Sequence, residues 1–100
     1  MPTIPTTAWD AADHLNTVED IVAYLEAALE DGDPQLIIAA LGDIARSAGM
    51  TKVAATAGLG RESLYKALSS QGNPAFATVL KVIQSLGLQL SVEPRKSRAG

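Results

Sequence analysis

Seven side chains between positions 52 and 69 have the chemistry needed to recognise another molecule. They are Lys52, Arg61, Glu62, Ser63, Tyr65, Lys66 and Ser69. An arginine can form two parallel hydrogen bonds with guanine O6 and N7, and a carboxylate can accept one from cytosine N4. Lysine and hydroxyl groups commonly contact phosphate oxygens. The set therefore indicates recognition of double-stranded DNA.

Within this set we expect different contacts from different side chains. Arg61 suits guanine, and Glu62 suits cytosine or could instead orient Arg61. Tyr65 could touch a thymine methyl group or a phosphate. The phosphate contacts that we expect come from Lys52, Ser63 and Lys66, and Ser69 completes the same outward face.

The elements that must position these side chains are two short helices joined by a tight turn. Small residues Ala54 and Ala57 allow two helices to cross closely, and Gly58 can take a positive φ in the turn. The apolar residues expected to seat both helices on a core are Val53, Leu59, Leu64 and Leu68. Residues 50–69 thus predict a helix-turn-helix, for which the plainer alternative is an ordinary helical hairpin with a solvated face.

Capping residues and apolar spacing predict five helices in all. Their expected bounds are Thr17 to Asp31, Asp33 to Gly49, Thr51 or Lys52 to Ala57, Arg61 to Ser69, and about Phe76 to Leu86. In the first helix the apolar positions are Val18, Ile21, Val22, Leu25, Ala28 and Leu29. In the second the expected buried stripe is Leu36, Ile37, Ala40, Leu41, Ile44 and Ala48.

After the fifth helix the apolar period changes to two. Leu88, Leu90 and Val92 alternate with polar residues, which predicts one short strand over residues 88–92. Such a strand needs a partner, and a second copy and another protein both remain open. The expected organisation is an N-terminal arm (1–16), a helical domain (17–93) and a disordered basic tail (94–100).

Composition agrees with a small all-α protein. The chain has 100 residues, 47% of them hydrophobic and only 4% aromatic, which favours helix packing over a β-sandwich. It contains no cysteine, no run long enough for a membrane span and no signal-peptide pattern, so we expect a cytoplasmic location. Residues 1–50 carry nine acids and one base, whereas residues 51–100 carry seven bases and two acids. This split suggests one end facing a polyanion, and another suited to a basic partner or simply to solubility.

Enzymatic chemistry has little support in the sequence. His14 is the single histidine, and with no cysteine or second histidine it cannot complete a metal site or a nucleophile–base pair. The carboxylates are spaced as solvent-facing groups, and no glycine-rich stretch has the residues of a phosphate-binding loop. We expect no catalysis, no cofactor and no metal.

Six segments of the chain resemble one known family. They are Trp9-Asp10, YLEAALEDGD at 24–33, LGDIAR at 41–46, AGLGRESLYKAL at 57–68, GNP at 72–74 and LGL at 86–88. Through them residues 6–92 resemble HigA-like addiction-module antidote proteins, antitoxins with an Xre-type helix-turn-helix. The resemblance implies a lambda-repressor-like fold, neutralisation of a small RelE/ParE/HigB-like toxin, and repression of the shared promoter by a homodimer.

The acidic half fits such a partner. Toxins that hold RNA tend to be basic, so an acidic face would complement one. The toxin-contact residues that we expect are Trp9, Asp10, Glu19, Asp20 and Glu26. Two alternatives stay open: a stand-alone helix-turn-helix repressor without a toxin, and an interaction module that does not bind DNA.

Overall fold

Five helices make up the part of the chain that the computed structural model describes, namely residue 15, residues 17–69 and residues 71–95. They are α1 (Val18–Asp31), α2 (Pro34–Ala48), α3 (Met50–Ala57), α4 (Arg61–Ala67) and α5 (Phe76–Ser85). The all-α prediction is confirmed in this part. Helix α3 begins one or two residues earlier than predicted, and α4 ends two residues earlier.

Local capping explains where α1 and α2 begin. The Thr17 hydroxyl oxygen accepts a hydrogen bond from the Asp20 N–H at 3.0 Å. One Asp33 carboxylate oxygen accepts from the Gln35 N–H, also at 3.0 Å, and Pro34 occupies the first turn. Each cap pairs an N–H that would have no partner inside its own helix. Both predicted starts are therefore confirmed.

The core lies where α2 packs against α1, α3 and α5, while α3 packs against α4 and α5. Leu41, Ile44, Leu64 and Val82 are its fully buried large side chains. Leu15 is buried too, and its carbonyl oxygen accepts a hydrogen bond from the Ser47 hydroxyl at 3.1 Å. The hydrophobic core thus includes a residue that precedes α1 in the sequence.

The buried faces of α1 and α2 differ from the predicted stripes. Val18 and Leu29 on α1, and Leu36 and Ala48 on α2, are exposed. On α2 the buried residues are Ile38, Ala40, Leu41, Gly42, Ile44 and Ala45. The broad face is buried because α2 is covered by three other helices, and this cannot be seen from its own periodicity.

The strand predicted over residues 88–92 is absent from the described part of the chain. The Leu88 N–H donates to the Ile83 carbonyl at 3.1 Å and closes the end of α5, after Gly87 turns the backbone with φ of 77°. A strand needs a neighbour for its backbone groups, and residues 89–92 make no backbone hydrogen bond to any described residue. The prediction of a strand is therefore wrong for the single chain.

Several predictions fall on residues outside the described part. Trp9, Asp10 and most of the N-terminal arm belong there, as do residues 96–100 of the tail. Among the described helices, none has the length and apolar character to cross a membrane.

A polar clamp joins α1 to α2. The Tyr24 hydroxyl donates to one Asp43 carboxylate oxygen at 2.6 Å, and Arg46 forms an ion pair with the other. Asp43 therefore contacts both helices at once. Burial first, and then the hydrogen bond and negative charge of Asp43, raise the pKa of Tyr24 to about 12, against the opposing charge of Arg46.

The clamp predicts loss of stability in alkali. An unfolded tyrosine has a pKa of about 10, so the contribution of Tyr24 is complete below pH 10. It is lost as the pH rises toward the folded-state pKa of about 12. We expect the urea midpoint of the native protein to fall more between pH 8.5 and pH 11 than that of Tyr24→Phe. Equal falls in the two proteins would contradict this role of Tyr24.

Candidate nucleic-acid interface

Helices α3 and α4 are joined by the three residues 58–60. Gly58 has φ of 73°, a left-handed conformation that glycine adopts without strain. The Leu59 N–H donates to the Ala54 carbonyl at 2.8 Å, and Gly60 returns to extended backbone before α4. Ala54 and Ala57 are buried, as predicted for a close crossing, and Val53 is buried, as predicted for a residue that seats α3 on the core. The turn therefore sets the direction of α4.

One side of α4 is anchored in the core. Leu64 is fully buried and Leu68, its C-terminal neighbour on that side, is 3% exposed. The Leu68 carbonyl lies so close to α2 that a Cβ on Gly42 would be 2.9 Å from it. The contacts of Leu64 and Leu68 hold α4 in one orientation. A helix that presents side chains to another molecule needs such a fixed orientation.

The opposite side of α4 faces solvent. All seven side chains predicted to contact DNA are exposed: Lys52 on α3, and Arg61, Glu62, Ser63, Tyr65, Lys66 and Ser69 on or just after α4. At 100° per residue, Glu62, Tyr65 and Lys66 fall within an arc of about 100°, and Arg61 and Ser63 lie about 40° and 60° beyond its two ends. The five predicted residues of α4 thus lie on its solvent-facing side, and Lys52 and Ser69 are exposed on either side of that helix in the sequence.

Arg61 and Tyr65 form a pair that the sequence interpretation missed. The guanidinium carbon of Arg61 lies 5.4 Å from the centroid of the Tyr65 ring, within cation–π range. Its Nη2 atom is 3.5 Å from the tyrosine oxygen. The i, i+4 spacing of an arginine and a tyrosine on a helix was the available signal. Tyr65, rather than Glu62, therefore orients Arg61 in this structure.

Ser69 has a local role as well. Its hydroxyl donates to the Lys66 carbonyl at 2.9 Å, where α4 ends and carbonyls lose their helical partners. A hydroxyl has one proton, so Ser69 cannot donate it to a phosphate while this bond is intact.

A second charged surface lies on α1. Glu19, Glu26 and Glu30 follow one another at spacings of seven and four, and all three are exposed. Asp20 is exposed on the neighbouring side. Beside this acidic line run Val18 and Leu29, which are 64% and 41% exposed. The structure thus places three predicted toxin-contact residues, Glu19, Asp20 and Glu26, on the surface of α1.

No group of three or more histidine, cysteine, aspartate or glutamate residues in the described ranges is arranged to hold a metal ion.

Comparison with known proteins assigns the family. A family model described as probable addiction module antidote protein matches residues 5–94. The chain belongs to this family. It is also 51% identical over 85 residues to an uncharacterized protein from Haemophilus influenzae, an alignment that covers 85% of this chain and 88% of that one. No solved structure matches the chain.

Membership in the antidote family implies a toxin partner. Membership in the family does not say which residues contact the toxin. The candidates among the described residues are therefore exposed surfaces that could bind a toxin. The acidic and apolar face of α1 is one such surface.

Proposed function

We propose that this antidote protein is a HigA-like antitoxin of a type II toxin-antitoxin module. It binds and neutralises a small basic RelE/ParE/HigB-like toxin and, as a homodimer, represses its own operon by sequence-specific DNA binding. Residues 50–69 are its Xre-type, lambda-repressor-like helix-turn-helix. The function is binding rather than catalysis and needs no cofactor. One observation carries the DNA-binding part: α4 is anchored by Leu64 while Arg61, Glu62, Tyr65 and Lys66 are all exposed on it.

Such a helix fits the major groove of B-form DNA, which is wide enough to admit it. Arg61 lies near the N-terminus of α4, the end that contacts base edges in helix-turn-helix proteins. Tyr65 holds the guanidinium in place before DNA arrives, which reduces the entropy lost on binding. Lys66 and Lys52, both exposed, supply positive charge for phosphate contacts.

Arg61→Ala is expected to weaken operator binding by roughly 5- to 150-fold, corresponding to about 1–3 kcal/mol for a lost bidentate base contact. It should also relax the preference at one base pair. Lys66→Ala should weaken all sequences evenly and reduce the salt dependence by about one phosphate. Fluorescence anisotropy with the DNA upstream of the operon, repeated at several salt concentrations, measures both effects.

The control is Lys81→Ala, which removes one positive charge from an exposed position on α5. Its affinity and base preference should stay near those of the native protein. If Arg61→Ala keeps native affinity and sequence preference, α4 is not the helix that recognises the bases. Binding that did not respond to salt would count against phosphate contact altogether.

The toxin-binding part is supported by the family and by the charge of α1. An acidic line beside exposed apolar side chains suits a basic protein, because complementary charge speeds association and apolar contact then holds the complex. Trp9 and Asp10 belong to the same proposal, although they lie outside the described residues.

Reversing the charge of α1 should slow toxin association. We expect Glu19→Lys combined with Glu26→Lys to reduce the association rate by roughly tenfold or more at low salt, with operator binding unchanged. Adding Asp10→Lys should increase the effect. Surface plasmon resonance with the toxin immobilised gives the rates.

A matched control changes the net charge equally but away from α1: Glu62→Lys combined with Glu93→Lys. This variant should bind the toxin at nearly the native rate. If both pairs slow association to the same extent, overall charge and not the α1 surface is responsible.

Co-expression with the small open reading frame beside the gene tests the function as a whole. Co-purification of the two products, with loss of the neighbour's toxicity, is the expected result. A neighbour that neither binds nor inhibits growth, combined with intact operator binding, would instead establish a stand-alone repressor. Toxin binding without any DNA binding would establish an interaction module.

A further inference from the structure

The segment after α5 leaves apolar side chains and backbone groups without partners in the described part of the chain. Leu88 and Leu90 are half-buried against the core, whereas Val92 is 99% exposed. Within the described ranges, no backbone hydrogen bond joins residues 89–95 to another residue. Unpaired backbone beside an alternating apolar face is a ready template for strand pairing.

We propose that residues 88–92 of two copies of this chain pair as antiparallel strands around a two-fold axis at Leu90. This ladder is the dimer interface. Two-fold symmetry lets one short segment pair with its own copy. If one residue faces a second residue of the partner copy, that second residue also faces the first residue of the partner. The inference rests on the proposed function only in taking the protein as a homodimer.

The pairing register follows from what flanks the segment. Gly87, with φ of 77°, turns the chain immediately before Leu88, and Pro94 has no N–H to donate to a ladder. Between Gly87 and Pro94, the paired strand can therefore consist of the five residues 88–92, with Leu90 at its centre. Leu90 then faces its own copy, and Leu88 faces the partner's Val92, so all three apolar residues are matched on one face.

This register also explains the exposure of Val92. Leu88 packs against the core of its own copy, so a Val92 that faces the partner's Leu88 is covered at the edge of the partner's core. A register shifted by one residue would place the apolar residues of one strand opposite polar residues of the other. Residues 88–92 also carry no charge, so two identical strands meet without repulsion and a charged partner gains nothing there.

The absence of cysteine from the sequence makes cross-linking a clean test. Directly opposed residues have Cβ atoms about 4.5–5.5 Å apart, close to disulfide geometry. Leu90→Cys should therefore form a disulfide-linked dimer on mild oxidation, in the absence of DNA and toxin. Val92→Cys alone should not, because four residues separate two such cysteines by about 13 Å along the ladder. A mixture of Leu88→Cys and Val92→Cys chains should cross-link.

Sedimentation equilibrium provides a second test that leaves the monomer fold intact. Val92→Asp introduces a charge where the single chain is fully exposed, and should raise the dimer dissociation constant at least tenfold. Ser91→Asp, the neighbouring exposed position on the opposite face, should leave it nearly unchanged. A native dimer unaffected by Val92→Asp, a native protein that is monomeric throughout, or equal cross-linking at positions 90 and 92 would each overturn the proposal. A dimer that cross-links as expected but does not bind the operator would refute the DNA-binding function alone.

Discussion

Leu64→Ala should lower the free energy of unfolding by about 2–5 kcal/mol, the range for a leucine truncated inside a packed core. Leu64 is fully buried, and it is the buried residue within the seven residues of α4. A helix of that length is not stable by itself in water, so its structure depends on this contact. The variant should lose operator binding together with stability.

Urea unfolding followed by circular dichroism measures this loss. The matched control is Leu36→Ala, the same truncation at a position on α2 that is 45% exposed. It should cost less than about 1 kcal/mol because little apolar surface leaves the core. Similar losses for the two variants would mean that α4 is not anchored through Leu64.

Gly72→Ala should lower the free energy of unfolding by about 1–3 kcal/mol, as overpacking does in a site that cannot expand. A Cβ at this position would lie 2.2 Å from the Ala67 carbonyl oxygen and 2.6 Å from that of Lys66. Both obstacles are backbone atoms at the end of α4, so relief requires α4 and the following loop to separate. We therefore expect operator affinity to fall even under conditions where the variant stays folded.

Gly60→Ala tests the other end of the same helix. Gly60 has φ of −69°, and the nearest atom to an added Cβ is the Ser63 hydroxyl oxygen at 3.8 Å, an ordinary contact. Its stability should change by less than about 1 kcal/mol, because a weaker cap and a less flexible unfolded chain act in opposite directions. A Gly72→Ala variant as stable as Gly60→Ala, with native operator affinity, would contradict the close approach seen at residue 72.

Helix α4 is short, so its position is maintained by neighbours: Leu64 in the core, α2 near Leu68, and the loop at Gly72. The acidic face of α1 lies on a helix that packs chiefly on α2. Variants of the α1 surface can therefore be used to separate toxin binding from DNA binding.

Much of the fold could be predicted from local sequence because capping is a local interaction. Thr17, Asp33 and Pro34 mark helix starts through bonds to residues two or three positions away, and Gly58 marks the turn by its backbone freedom. The outward face of α4 was likewise predictable, since buried and exposed positions on a short helix alternate with its own period. Exposure of the seven candidate residues agrees with that prediction, while their contact with DNA stays a prediction.

The tertiary structure alone decided contacts between residues distant in the chain. Which side of α2 is buried depends on three helices packed around it, and the bond between Tyr24 and Asp43 joins positions nineteen residues apart. Gly72 was noted in the sequence as part of the GNP segment, yet its lack of a side chain matters because the carbonyls of Lys66 and Ala67 lie against it. The alternation over residues 88–92 was present in the sequence, but a strand forms only beside a second one, and the described chain has none to offer.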